Sequence, residues 1–439
     1  MINILPNIIF SILLIISVGF FINNIKKLIT VIKLGKPLDR TDNPKKRLYN
    51  MIRIALGQSK MVTKPISGFL HVIVYVGFII INIELLEILI DGITGSHRFF
   101  SKYFNPSFYN FLIASFEILA LLVLISVILF WTRRNIVKIK RFLSNEMKGW
   151  PKFDADNILY FEIVLMLLFL SMNATDLILQ ERNFEGYYKA GSFPVSSLMV
   201  PLFDSFATST VYVFERVFWW LHIIGIFFFL NYLYYSKHLH ILLAFPNTYF
   251  ANLESKGKFG ILESVRNEVL LMFYPEKASE SNGEIDKFGA SDVLDLNWVQ
   301  LMNAYSCTEC GRCTSECPAN LTGKKLSPRK IMMDTRDRLE KVSKNITMNK
   351  GKFIDDGDRL LDNYISKEEL WACTSCNACV EACPINIDPL SIIMDMRQFL
   401  IMEESSAHPD LNNMMNNIEN NGAPWPYNQQ DRELWIQEA

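Results

Sequence analysis

Cysteine is missing from most of this chain. All 8 cysteines fall into two short runs in the last third of the sequence, and none is left over. Histidine is scarce, with 6 residues, and charge of neither sign is in excess, since the formal net charge is -1. Hydrophobic residues make up 50% of the composition, yet long apolar runs are absent after about residue 245. The chain therefore divides into an apolar part and a polar part that holds the cysteines, and we expect no nucleic acid among its partners.

The two cysteine runs repeat one pattern. They read Cys307-x2-Cys310-x2-Cys313-x3-Cys317-Pro318 and Cys373-x2-Cys376-x2-Cys379-x3-Cys383-Pro384. This spacing is typical of two 4Fe-4S clusters, in which the cysteine before the proline binds the neighbouring cluster. Zinc sites instead combine two separate pairs of closely spaced Cys or His ligands, and disulfides need an oxidising compartment. We expect Cys307, Cys310, Cys313 and Cys383 to hold cluster one, and Cys373, Cys376, Cys379 and Cys317 to hold cluster two.

The apolar part predicts a membrane domain over residues 1–245. Runs of about 20 apolar residues are long enough to cross a bilayer. Five such spans are expected at about 3–25, 66–93, 108–131, 157–180 and 214–242. No basic residue precedes the first span and no small-residue cleavage site follows it, so we expect a retained helix rather than a signal peptide.

Basic residues are unevenly distributed among the loops. The loop after span one, from Lys26 to Lys64, and the loop after span three, from Arg133 to Lys152, are rich in lysine and arginine. Loops on the opposite side carry only Arg98, Lys102, Arg182 and Lys189. By the positive-inside rule, the N-terminus lies outside and everything after span five lies in the cytoplasm. We therefore expect a multi-pass protein of the inner (cytoplasmic) membrane, with its cysteines in a reducing compartment.

The polar part is expected to be helical. A linker over 246–290, charged between Glu276 and Lys287, leads to a cluster domain over 291–400. The stretch between the cysteine runs is too long for a small ferredoxin built on hairpins, and Ser327-Pro328 begins an amphipathic helical pattern. The tail, 401–439, is expected to be extended and to dock a partner. The predicted fold class is all-α: a five-span transmembrane helical bundle followed by a cytoplasmic α-helical dicluster ferredoxin domain.

Three histidines lie within or at the ends of the apolar spans. An ionisable group is costly there without a partner, and haem iron, which takes a neutral imidazole, is such a partner for His71, His222 and His240. His222 and His240 are about five turns apart in span five, so they would share one helix face with a rise of about 27 Å. His71, near the cytoplasmic end of span two, has the depth to face His240.

The sequence thus predicts an inner b-type haem between His71 and His240 and an outer haem at His222. His97, in an outer loop, is the remaining candidate to face His222, and His238 points to a different face from His240. The alternative for each histidine is a polar group that is hydrogen-bonded at the membrane interface. Acids within or at the ends of spans are candidates for quinone proton exchange, or else are interfacial or paired: Glu84, Glu87, Glu117, Glu162, Asp176 and Glu215.

Several segments resemble known families. Trp220-Leu221-His222 through His240-Ile241, with Leu70-His71, is similar to the nitrate reductase gamma subunit and to the membrane subunit of heterodisulfide reductase. Phe288-Gly289, Trp298 and the cysteine runs resemble the iron-sulfur part of heterodisulfide reductase. The resemblance implies a dihaem b protein, although Ile81 stands where an outer histidine of span two would be. It also implies a separately encoded CCG-domain or flavin-containing redox subunit, which the tail around Ala423-Pro424-Trp425 would dock.

The sequence as a whole predicts a membrane-bound electron-transfer subunit. It would pass electrons between a cytoplasmic redox partner and the quinone pool in the lipid bilayer, through two 4Fe-4S clusters and one or two b haems. One alternative is the membrane subunit of a heterodisulfide or thiol-disulfide reductase. A second is a non-enzymatic anchor that senses redox state.

Overall fold

The computed structural model describes residues 4–255, 257–258, 260, 263–277 and 287–437. Regular secondary structure there is helical throughout, without strands, which confirms the all-α prediction. Most of the charged stretch expected between Glu276 and Lys287 lies outside the described residues. The α-helices are α1 (Leu5–Ile32), α2 (Pro44–Met51), α3 (Pro65–Thr94), α4 (Pro106–Asn135), α5 (Trp150–Glu181), α6 (Thr208–Tyr232), α7 (His240–Tyr249), α8 (Glu263–Phe273), α9 (Trp298–Ser306), α10 (Arg312–Ser315), α11 (Pro318–Leu321), α12 (Pro328–Met348), α13 (Lys367–Ala372), α14 (Ala378–Ala382), α15 (Pro389–Met402), α16 (Pro409–Asn421) and α17 (Leu434–Gln437).

Five helices are long and apolar enough to cross a membrane: α1, α3, α4, α5 and α6, the last continued by a 3-10 turn to Tyr235. The first four begin with a proline in the first turn, where its missing N–H costs no hydrogen bond. α3, α4, α5 and α6 pack on one another in chain order, and α1 closes the bundle against α3 and α6. Phe10, Phe116, Phe169 and Ile223 fill its interior.

The fifth span differs from its prediction. α6 ends at Tyr232, two 3-10 turns follow, and α7 begins at His240. Asp154 of α5 explains the break, because its carboxylate accepts hydrogen bonds from the Tyr232 hydroxyl (2.7 Å) and from the Lys237 backbone N–H (3.0 Å). The extended backbone of Ser236 lies between these two donors. The prediction that His222 and His240 share one face of a continuous helix is therefore wrong.

The cluster domain has a core of its own, formed mainly by α9, α12 and α15. The helix expected to start at Ser327-Pro328 is confirmed: the Ser327 side chain caps α12, which runs to Met348. Arg338 of this helix is fully buried and is satisfied by Asp292 (2.6 Å) and Asp356 (2.7 Å). Charges inside this domain are thus paired, as buried charges must be.

The tail is not extended, contrary to the prediction. Residues 409–421 form α16, which begins after His408 and ends at Gly422 in the left-handed conformation (φ 66°) that commonly terminates helices. None of the α16 side chains is buried. Docking of a partner by this segment stays a prediction.

The two domains meet where α1 leaves the membrane. Val31 of α1 belongs to the core of the cluster domain, and the Lys36 N–H donates to the Leu296 carbonyl (2.8 Å). A Cβ on Gly35 would lie 2.6 Å from the Trp298 nitrogen, so only glycine permits this approach. The cluster domain lies against the same end of the bundle as the basic loops. We call this end the cluster end and the opposite end the distal end.

Candidate cofactor sites at the junction of the domains

The first cysteine motif leaves α9 at Cys307 and turns sharply back into α10. Glu309 (φ 55°) and Gly311 (φ 72°) both take the left-handed conformation. A Cβ on Gly311 would meet the Arg329 guanidinium at 2.6 Å, so the turn needs glycine for space as well as for its backbone. This tight loop gathers three thiols around one cavity.

The cavity of the first motif also receives a thiol from the second motif. Cys307, Cys310, Cys313 and Cys383 line it together with Cys379. Burial raises the pKa of Cys383 to about 11, and the neighbouring Cys310 adds to this. The fold therefore brings Cys383, the cysteine before Pro384, to the cavity of the first motif.

The second motif forms the reciprocal group. Burial raises the pKa of Cys379 to about 12, and Asp388, Cys373 and Cys317 contribute in the same direction. Cys317, from the first motif, is thus a neighbour of the second. Cys376 is exposed, whereas Cys379 is buried and borders both groups.

The chemistry of these thiols fits iron-sulfur clusters better than the alternatives. All eight cysteines are free, and in the described part of the chain no three His, Cys, Asp or Glu side chains approach closely enough to hold one metal ion. Thiolates that bind one zinc ion all lie about 2.3 Å from it, whereas the thiolates of a cubane bind different corners and so lie farther from one another. Burial raises the pKa of five of the thiols, and metal binding would displace their protons: Cys307, Cys313, Cys373, Cys379 and Cys383. The individual ligand assignments stay predictions.

At the cluster end of the bundle, two of the predicted haem ligands face each other. The ring centres of His71 and His240 are 6.5 Å apart. His71 and His240 would hold the iron of a b-type haem through their ring nitrogens, and the haem would supply one-electron chemistry there. His240 Nδ1 lies 2.9 Å from the Lys237 carbonyl, which fixes the tautomer that leaves Nε2 free to bind iron. The pair fits a haem.

His238 joins this group, so the expectation that it points to a different face from His240 is wrong. Its ring stacks on His240 with centres 5.5 Å apart, and its Nε2 lies 3.6 Å from Glu162 of α5. Burial lowers the pKa of both His238 and His240, which favours the neutral imidazoles. The helix break at Ser236 brings the two rings together, and a continuous helix would have separated them.

The remaining candidate histidines lie toward the distal end and have different partners. His222 is buried, with Nδ1 3.0 Å from the Leu165 carbonyl and its ring 5.8 Å from Phe169. His97 Nε2 lies 2.8 Å from Asp176, and its ring contacts Tyr187. Haem ligation by either histidine stays a prediction.

A buried ion pair connects the first cysteine motif to the histidine segment. Glu309, between Cys307 and Cys310, accepts from the Lys237 ammonium and from Arg336 (2.9 Å). Lys237 immediately precedes His238 and also donates to the Pro151 carbonyl (2.7 Å). The sequence reasoning found neither partner, since nothing local distinguishes them from other surface charges.

Two arginines of the cluster domain complete the junction. Arg312 donates to the carbonyls of Lys60 and Met61, both at 3.0 Å, in the loop before α3. Arg329 donates to the Arg141 carbonyl (2.7 Å) and pairs with Glu146 (2.7 Å), in the loop before α5. The first motif thus lies directly against the loops that flank the His71–His240 pair.

Comparisons with known proteins support an iron-sulfur domain in this chain. A family described as a 4Fe-4S dicluster domain matches residues 306–387. A probable iron-sulfur-binding oxidoreductase, FadF of Bacillus subtilis, is 28% identical over 96% of this chain and 59% of its own length. The EtfAB:quinone oxidoreductase of Syntrophomonas wolfei is 24% identical over 97% of this chain and 59% of its own length.

A further relative matches about a quarter of this chain. It is one of the subunits of the ferredoxin/F(420)H(2)-dependent CoB-CoM heterodisulfide reductase of Methanosarcina acetivorans, 29% identical over 26% of this chain and 56% of its own length. This chain spans about three fifths of the two longer relatives. No solved structure matches it. The protein is thus related to iron-sulfur oxidoreductases, and its five apolar helices indicate a multi-pass membrane protein.

Proposed function

We propose that this protein carries electrons between a soluble redox partner and membrane quinone. Two 4Fe-4S clusters, held by the eight cysteines, and a b-type haem, held by His71 and His240, would supply the one-electron steps. A second haem at His222 is a further part of the proposal, as is the likeness of the bundle to the nitrate reductase gamma subunit. The domain limits are proposed as a membrane domain to residue 245 and a cluster domain over 291–400.

The observation that carries the proposal is the position of the first cysteine motif. Its loop is bound through Glu309 to Lys237, next to the His238–His240 segment, and through Arg312 to the loop that leads to His71. Electron transfer requires cofactors to lie close together. The loop of the first cysteine motif contacts residues beside His71 and His240, so the two candidate cofactor sites lie close together within one chain.

The second cysteine motif is proposed as the side where the partner docks. Cys376 is exposed, whereas the first motif lies against the bundle. The name of the Syntrophomonas relative gives EtfAB and quinone as reactants, and we propose a flavin-containing partner of that kind. A partner with CCG domains, as in heterodisulfide reductases, is the alternative that the Methanosarcina relative favours. The identity of the protein that copurifies with this chain, flavin-containing or CCG-type, would decide between the two partners. Neither would copurify with a redox-sensing anchor.

The proposed orientation places the cluster domain in the cytoplasm. The basic loops lie at the cluster end, and loops of this composition stay inside. A reporter fused after Ala439 that is active only outside the cytoplasm should be silent. Activity of that reporter would overturn both the orientation and the choice of partner.

The experiment that tests the function uses purified full-length protein. Iron and haem quantitation with an absorption spectrum should give about eight cluster irons and one or two b haems per chain. After chemical reduction, a soluble quinone analogue should reoxidise the haem, which stopped-flow absorption at the haem band would follow. Absence of b haem, or a reduced haem that quinone leaves untouched, would contradict the proposal.

A further inference from the structure

The distal end of the bundle holds a buried polar network centred on Arg98. Its guanidinium donates to Asp176 (2.8 Å) and to the Asn173 side chain (2.8 Å). Its third nitrogen lies 3.6 Å from Glu84. Asp176 is buried and also contacts His97, so the charge of Arg98 is already balanced without Glu84.

Most of the other acids in this network bind backbone N–H groups of the distal loops. Asp91 accepts from the N–H groups of Arg98 and Phe99, and Glu117 accepts from those of Val195 and Ser196. Such bonds hold a carboxylate in place and stabilise its charge. These acids therefore have structural partners in the loops.

Glu84 has no such partners. Its side chain is 2% exposed, one carboxyl oxygen has no hydrogen-bond partner, and the other contacts Arg98 at 3.6 Å. Glu87 on its own helix and Glu117 on α4 are its other charged neighbours, and both are acidic. Because Asp176 already balances the charge of Arg98, an ionised Glu84 would be a buried charge without a counter-charge. This favours the protonated, neutral carboxyl of Glu84.

A short chain of polar groups leads from Glu84 to the distal surface. Glu87 follows Glu84 by three residues and so lies on the same helix face. The Tyr109 hydroxyl donates to both carboxyl oxygens of Glu87, at 2.9 and 3.1 Å. Tyr109 in turn lines a cavity at the distal end, together with Lys102 and Lys189.

On its inner side Glu84 borders the apolar interior of the bundle. Its helix neighbours Ile81 and Leu85 pack against the core that contains Phe169. The Phe169 ring contacts His222, with centres 5.8 Å apart. The helix that carries Glu84 therefore packs against the same apolar core that contains Tyr109 and Phe169.

We propose that Glu84 is a proton-exchange site that communicates with the distal aqueous side through Glu87 and Tyr109. The Glu84 O–H bond breaks as the proton passes outward to water in the cavity, and re-forms when a proton returns. No electron moves in this step. The inference goes beyond the proposed electron transfer, because it assigns a proton route to a part of the bundle away from the cluster domain.

Infrared spectroscopy of the purified full-length protein tests this. The carbonyl stretch of a protonated, buried carboxyl should shift when the protein is transferred from H2O to D2O, and Glu84→Gln should remove that band. In Tyr109→Phe the band should remain, but its exchange should slow by about tenfold or more, because the hydroxyl link to the cavity is lost. Tyr103→Phe is the matched control, since this distal tyrosine is 70% exposed, and exchange there should equal that of the unmodified protein.

An unchanged carboxyl band in Glu84→Gln would overturn the proposal. Exchange in Tyr109→Phe at the rate of the unmodified protein would overturn the route, even if Glu84→Gln failed to fold. The absorption of clusters and haem after chemical reduction of the same samples reports on electron transfer separately. Failure of the proton site is therefore distinguishable from failure of the proposed function.

Discussion

The two ends of the helical bundle handle buried charge in different ways. At the cluster end, charges bridge two domains: Lys237 meets Glu309, and Arg329 meets Glu146. At the distal end, Arg98 is satisfied within the bundle by Asp176 and Asn173. Ion pairs at the cluster end hold the candidate cluster ligands close to the candidate haem ligands. Those at the distal end join the loop that carries Arg98 to α5 of the same bundle. The cluster end therefore holds the candidate redox sites close together. The distal end holds the bundle together and leaves one buried acid, Glu84, without a full counter-charge.

The largest expected effect tests the crossover at the cluster end. Cys383→Ala should abolish the cluster of the first motif, because the thiol of Cys383 lies at that cavity. Cys317→Ala is the matched control and should abolish the cluster of the second motif instead. Electron paramagnetic resonance distinguishes the two. Loss of only the second-motif cluster in Cys383→Ala would show that each motif binds its own cluster.

The next effect concerns the histidine pair. His71→Ala should remove a low-spin b haem signal while both clusters assemble, because the candidate iron ligands of the clusters are untouched. His408→Ala, at an exposed histidine of the tail, should leave the spectrum unchanged. A haem spectrum in His71→Ala equal to that of the unmodified protein would contradict the assignment.

Removing the central cation of the distal end should destabilise the bundle alone. Arg98→Met leaves Asp176 buried without its counter-charge, which costs about 3–5 kcal/mol. Thermal unfolding in detergent measures the loss, and the iron content should stay constant. Lys189→Met, at an exposed distal lysine, should change stability by less than about 0.5 kcal/mol. A loss of iron in Arg98→Met would mean that the two ends are not independent.

Removing the cation at the cluster end should loosen the junction and spare the bundle. Lys237→Met should cost about 3 kcal/mol, the low end for a broken buried pair, because Arg336 still contacts Glu309. Hydrogen exchange of the amides at 308–312 should accelerate. In the control, Lys64→Met removes a pair whose side chains are 51% and 45% exposed, and the cost should stay below about 1 kcal/mol. Equal effects of the two variants would contradict the role of the Lys237–Glu309 pair.

The smallest effect is a pH dependence of the same junction. Burial would raise the pKa of Glu146, but the hydrogen bond and charge of Arg329, with hydrogen bonds from the Glu146 backbone and Ser327, together outweigh burial and hold the pKa below its ordinary value of 4.5. The stabilisation is therefore complete above pH 4.5 and is lost as the pH falls through the lower folded value. Hydrogen exchange around Arg329, followed against pH, should show this acid step. The step should vanish in Glu146→Gln, and its persistence there would assign it to another group.

Much of the architecture was readable from the sequence because its signals are local. Apolar runs revealed the five spans, and Ser327-Pro328 revealed the start of α12. Expectations failed where a distant residue decides the local structure or where composition misleads. Asp154 of α5 ends α6 at Tyr232 by accepting from Tyr232 and Lys237, although the apolar pattern runs on. In the tail, a terminating glycine at Gly422 closes a helix that the asparagine-rich composition did not suggest.

The sequence by itself determined the kinds of group this protein contains: two cysteine motifs whose spacing predicts clusters, histidines in apolar surroundings, and basic loops on one side. Only the tertiary structure decided which of these groups meet. The approach of Cys383 to the first motif, the 6.5 Å separation of the His71 and His240 rings and the contact between Lys237 and Glu309 all join residues far apart in the chain. Spacing along a chain fixes which residues share a turn, whereas the packing of helices against one another fixes which turns share a site.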